Sequence, residues 1–172
     1  MMYYKIEGEK NTLSINLNTY ESKLKGEEAL IIYYDSKKQS LESPIFHLRG
    51  YIFVKDEVKK VLEIYDGDIV FKQIVFLDST AKKSQCYWLI ELKPIDCISE
   101  KSKLGFGKSA KELIVRESSV KEKDVLTVST LKGNDGPYIR KALIISLTVA
   151  ESLLRRKITG IRYEKVRVEE GE

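Results

Sequence analysis

The stretch Gly105-Phe106-Gly107-Lys108-Ser109 is the nearest this chain comes to a chemical motif. It matches the end of a phosphate-binding loop, Gly-x-x-x-x-Gly-Lys-Ser, in which backbone N–H groups cradle the phosphates and the lysine reaches the outer ones. That loop needs a first glycine at position 102, where serine stands. It also needs a buried strand ahead of it, where Ser99-Glu100-Lys101-Ser102-Lys103 is polar. No apolar run ending in a metal-binding aspartate follows, so the segment reads as a polar loop and not as a nucleotide site.

The remaining reactive side chains are few. His47 is the one histidine, which excludes the usual zinc sets of several histidines and cysteines. A nucleophilic pair would need Cys86 or Cys97 beside His47, with a third group to orient it. Cys86 opens the apolar run Cys86–Leu92 and is expected to be a small core residue. Two cysteines do not make a disulfide framework. Asp66 and Asp68 flank Gly67 as turn residues commonly do. The chain is thus expected to hold no catalytic residue, no cofactor and no metal.

Composition bounds the partners. The net charge of +4 comes from 30 basic and 26 acidic residues that are interspersed, unlike the focused basic stripe that phosphate neutralisation needs, so nucleic acid is not an expected partner. Ten tyrosines outnumber 5 phenylalanines, which suits half-buried strands and contact surfaces, because the ring packs while the hydroxyl stays wet. Glu7 and Glu9 fall where a signal peptide needs apolar residues. No apolar segment approaches the roughly 20 residues of a membrane span, and a cytoplasmic location is expected.

The elements that must position any site follow from periodicity. Strands are expected at 3–6, 12–18, 29–34, 45–54 (broken at Gly50), 69–76, 86–92, 113–115, 125–128, 142–145 and 161–168. The continuous apolar run Ala29–Tyr34 suits a central strand. Val58, Val61, Leu62 and Tyr65 predict a helix over 56–65, with Asp56 and Glu57 in its first turn. Val149, Ala150, Leu153 and Leu154 predict a second over 149–156, with Thr148 and Glu151 as a capping box. The turn cluster Gly133-Asn134-Asp135-Gly136-Pro137 separates two late strands. The expected fold is one α+β domain over residues 1–172, a mostly antiparallel sheet with two short amphipathic helices. Residues 1–44 supply its least defined strands.

Phe53–Val58 and Ile144–Val149 both lead from a strand into a helix, then a glycine and a strand with an aromatic residue, Phe71 or Tyr163, at an offset of about 91 residues. A duplicated strand–helix–strand unit would give this echo, and so would common start and stop rules.

Tyr51–Leu62 forms one half of a pattern whose other half is Ile145–Ala150 with Ile158–Glu164, and Tyr87-Trp88-Leu89-Ile90 with Asp96–Ser99 lies between them. Over residues 45–168 this pattern resembles a bacterial immunity-protein family found beside polymorphic toxins and formerly known as a domain of unknown function. Leu147-Thr148 departs from the more polar helix entry usual there. The resemblance implies a cytosolic protein that binds and neutralises a cognate toxin, and it carries over no functional residue. Phe106 and Tyr138, in the two glycine-bearing loops, are the candidate partner-binding anchors. The rival readings are a small hydrolase or transferase built on a shifted carboxylate or on Cys86, and a structural or adaptor module.

Overall fold

Alternating apolar and polar residues give strands, and amphipathic stripes at helical spacing give helices. A computed structural model of the protein describes residues 1–10, 15–26, 28–103, 112–129 and 141–170. In chain order these form β1 (Tyr3–Gly8), α1 (Glu21–Leu24), β2 (Leu30–Tyr34), β3 (Ile45–Leu48), β4 (Tyr51–Val54), α2 (Asp56–Tyr65), β5 (Val70–Asp78) and β6 (Ser84–Glu91). There follow β7 (Ile114–Arg116), α3 (Glu117–Val120), β8 (Val125–Ser129), β9 (Lys141–Ser146), α4 (Leu147–Arg155) and β10 (Ile161–Glu169). The class is α+β, as expected, but the strands divide into two five-stranded sheets, β7-β10-β1-β9-β8 and β2-β5-β6-β4-β3. Pairing is antiparallel except for β2 with β5 and β7 with β10.

The two sheets repeat one plan. In each, a hairpin (β3–β4 or β8–β9) leads through a helix (α2 or α4) to a strand (β5 or β10). An antiparallel strand, β6 or β1, fills the gap between hairpin and returning strand, and an edge strand, β2 or β7, runs parallel to the returning strand. The repeat reaches hydrogen bonds. Tyr87 on β6 and Tyr3 on β1 are both fully buried. Tyr87 donates its hydroxyl to the Ser43 carbonyl at 2.7 Å, and Tyr3 to that of Val120 at 2.5 Å; both acceptors lie in the connection before the hairpin. The echo in the sequence is therefore a repeated fold, with one difference of order: β6 follows β5 directly, whereas β1 precedes everything else in its sheet.

Burial falls into three clusters. The central one joins α2 (Val58, Val61, Leu62) and α4 (Val149, Ala150, Leu153) to Ile52, Val54 and Ile90 of one sheet and Ile6, Leu143 and Ile145 of the other. The far face of each sheet carries its own cluster, around Phe46, Phe53, Phe76 and Tyr87 in one and around Tyr3, Cys97, Leu126 and Ile144 in the other. The sheets touch where β1 meets β3. A Cβ on Gly8 would lie 2.0 Å from the Ser43 hydroxyl and 2.1 Å from the Ile45 carbonyl oxygen, so only glycine permits this approach.

Local chemistry explains the boundaries. α2 spans 56–65 as its stripe predicts. Asp66 ends it by accepting the Asp68 N–H at 2.9 Å, which makes the two aspartates turn residues. α4 begins earlier than the expected 149, because Ser146 is its N-cap and accepts the Val149 N–H, whereas Thr148 is exposed and does not cap. The described part of the expected strand over 12–18 is not extended beyond Asn16. The Asn16 side chain takes the Asn18 N–H at 3.1 Å and starts a 3-10 turn, Leu17–Tyr20, that runs into α1 and buries Leu17 and Leu24. Buried Lys72 donates to the carbonyls of Lys23, Leu24 and Gly26, a cation closing the C-terminal end of α1.

Tyr163 offers a contrast with the paired tyrosines, since its hydroxyl is buried with no hydrogen-bond partner among the described residues. Tyr87→Phe is expected to cost about 1–3 kcal/mol by orphaning a buried carbonyl, and Tyr163→Phe to cost nothing or to stabilise. Denaturant unfolding of the two variants checks this.

Candidate protein-binding surface

β2 places every second side chain inward: Leu30, Ile32 and Tyr34 are buried, while Ile31 and Tyr33 are 49% and 56% exposed. The expected central strand is thus an edge strand with an open face. Register extends that face across the sheet. Ile31 lies beside Val75 and Tyr33 beside Leu77 on β5, and Val75 faces Cys86 on β6. Ile31, Tyr33, Val75, Leu77 and Cys86 form one apolar strip. At one end α2 covers the sheet, and the Lys59 ammonium stands 4.6 Å over the Trp88 ring and 5.2 Å over that of Phe71. At the other end Asp78 ties the strand ends together by accepting the N–H groups of Ser36 and Thr80. The Ser36 hydrogen bond, with the backbone donors, holds the Asp78 carboxyl down to about 2.

Cys86 is exposed and Cys97 buried, which reverses the expectation of a core Cys86. The apolar run around Cys86 belongs to β6, whose helix side is covered only as far as Trp88. The Cys86 sulfur accepts a hydrogen bond from Gln73 at 3.2 Å. Burial pushes the Cys97 thiol up to about 11. His47 is on β3 and pairs in register with Ile52, whereas Cys86 faces Val75.

The other concentration of charge is structural. Lys5 is buried and lies 3.0 Å from Glu164 and 3.3 Å from Glu7, and Arg162 also pairs with Glu7. Burial opposes ionisation of Glu7, but Lys5 and Arg162 outweigh it and hold the carboxyl below the usual range. His47 is brought down to about 4, chiefly by burial, with Lys5 acting in the same direction and Glu7 against it. Each acid of this cluster thus has a basic partner, and the group ties β1 to β10. Among the same residues no group of three or more histidine, cysteine, aspartate or glutamate side chains is arranged to hold a metal. None of their helices is long and apolar enough to cross a membrane. An open cleft of about 420 Å³ between Met1, Met2, Glu117, Lys165, Arg167 and Glu170 is lined by long side chains of both charges.

Phe106 and Tyr138, and with them the Gly105–Ser109 stretch and the turn cluster at 133–137, lie outside the described residues. The strip on β2, β5 and β6 was missed by sequence reasoning. Its signal was present in the pairs flanking β2, Glu27-Glu28 before and Lys37-Lys38 after, which mark a strand with solvent at both ends. No family model matches the chain, and neither does any curated protein.

Two measurements follow from these environments. A thiol reagent is expected to label Cys86 in the native protein and Cys97 only on unfolding, read by mass spectrometry of the digested protein. For His47, the folded value of about 4 lies below the unfolded 6.5, so the unfolded chain takes up the proton first. Stability is expected to be unaffected by this group above pH 6.5 and to fall by roughly 3 kcal/mol as pH drops from there to 4. His47→Gln should flatten that part of a stability–pH curve; an unchanged slope refutes the assignment.

Proposed function

We propose that the protein binds another protein stoichiometrically and neutralises it, as an immunity protein does for a cognate toxin in the same compartment. The observation that carries this reading is the apolar strip of sheet β2-β5-β6-β4-β3, with Ile31 and Tyr33 half-exposed at its rim. A flat apolar surface with an aromatic residue and charged borders is what protein interfaces use, whereas a small-molecule enzyme needs a concave pocket with shifted acids and bases. The likeness of Tyr51–Leu62, Ile145–Ala150 and Ile158–Glu164 to immunity proteins supports a toxin as the class of partner. Tyrosine is a preferred anchor in such interfaces, so Tyr33 joins Phe106 and Tyr138 as a candidate anchor. A nuclease is commonly blocked by an acidic surface that mimics its nucleic-acid substrate, and a net charge of +4 disfavours such a target.

Coexpression with the toxin domain encoded beside it tests the proposal. Growth rescue together with a complex of equal stoichiometry on size exclusion is the expected result, with rescue lost in Tyr33→Asp and complex formation blocked when Cys86 carries a bulky maleimide. Rescue without any complex would indicate enzymatic detoxification, and absence of both would remove the immunity reading.

A further inference from the structure

The repeated plan makes each sheet a template for the other, and the two differ at one edge. β7 holds in its sheet the place that β2 holds in the other: each runs parallel to the strand returning from the helix, with Ile114 beside Arg167 in one and Ile31 beside Val75 in the other. Along β7 the outer edge is occupied. Ser99 donates its N–H to the Ile114 carbonyl at 2.9 Å, Arg116 donates to the Cys97 carbonyl at 2.8 Å, and Ile98 faces Val115 antiparallel. Under that segment Ile114 is only 4% exposed.

β2 has the corresponding groups with nothing comparable on them among the described residues. Parallel pairing with β5 turns alternate residues outward, and Tyr33 corresponds to Arg116. Its N–H meets only the Tyr20 hydroxyl, at 3.5 Å, among the described residues. Ile31 and Tyr33 are exposed where Ile114 is covered. An edge strand with open backbone groups and apolar side chains is a template for a further strand.

We infer that a second copy of this chain docks on β2, the two β2 strands pairing antiparallel about Ile32 to make one continuous ten-stranded sheet. The register that β7 displays is self-complementary on β2. Centring the pair on Ile32 puts Ile31 opposite Tyr33 of the second copy, twice, with both residues in hydrogen-bonded positions, and it seats Ile32 against Ile32 as Ile98 seats against Val115. Aromatic and β-branched residues opposite one another are favourable cross-strand pairs. Charge is compatible with this: exposed Glu28 before each strand comes to the end of the other that carries exposed Lys37, where Lys38 lies 4.0 Å from Asp35. The two-fold axis leaves both apolar strips on the same side, so the two copies join them into one surface with the Ile31–Tyr33 pairs at its centre.

The test uses the protein alone, so its failure is separate from failure of the toxin reading. Sedimentation equilibrium from micromolar to millimolar concentration is expected to show a dimer. Ile31→Lys and Tyr33→Glu, both at exposed positions and checked by circular dichroism for retained fold, should each weaken it by about tenfold or more. Mixing the two variants should restore a heterodimer, because the introduced lysine of one copy then faces the introduced glutamate of the other while the second Ile31–Tyr33 pair is kept. A wild-type monomer at every concentration overturns the inference, even where the variants lose a protein partner, since the edge would then belong to that partner. A dimer indifferent to both variants, or a mixture no tighter than either variant alone, overturns it as well.

Discussion

The apolar layer around α2 and α4 governs the rest of the molecule. Each helix must bury a stripe, and the two meet each other and one face of each sheet in a single cluster. That arrangement decides which sheet faces are covered and how far. In the sheet that holds β2, cover reaches Phe71 and Trp88, where Lys59 closes the seam, and ends there. Beyond the seam the same face continues as the apolar strip. The strip is therefore a consequence of a ten-residue helix lying across a sheet wider than its footprint.

The repeat sharpens this point by supplying a comparison within one chain. Both sheets have the same strand order and the same buried tyrosine holding the same connection. They differ at their edges. One edge is closed by residues 97–99, and the other exposes the side chains of Ile31 and Tyr33. The approach of the sheets at Gly8 is the point where the repeat is joined, and it tolerates no side chain.

Much of this was legible in the sequence, and the failures have identifiable causes. α2 could be read to the residue because three buried positions at helical spacing and two acidic residues at its start agree. The start of α4 could not, because Ser146 ends a strand and caps a helix at once, and a plausible capping box lies just downstream. Cys86 and Ala29–Tyr34 were misplaced for a common reason. An apolar run reports that a strand has buried faces, and it does not report where a helix stops covering one of them. The partition into two sheets was hidden as well, since strand pairing between residues 3–8 and 161–169 leaves no local trace.

The position of β1 has a consequence for synthesis. Its neighbours in the sheet are β9 and β10, whereas every strand of the other sheet lies between residues 30 and 91. A ribosome delivers β1 long before β9 and β10. The sheet from β2 to β6 has all its strands in hand while β1, with Tyr3 and Ile6 still uncovered, waits for more than a hundred residues to emerge. Closing that span carries a larger loop entropy than any pairing within β2 to β6, where strand partners lie closer along the chain. Until α4 emerges, α2 and the sheet it covers also lack the other half of their shared apolar layer.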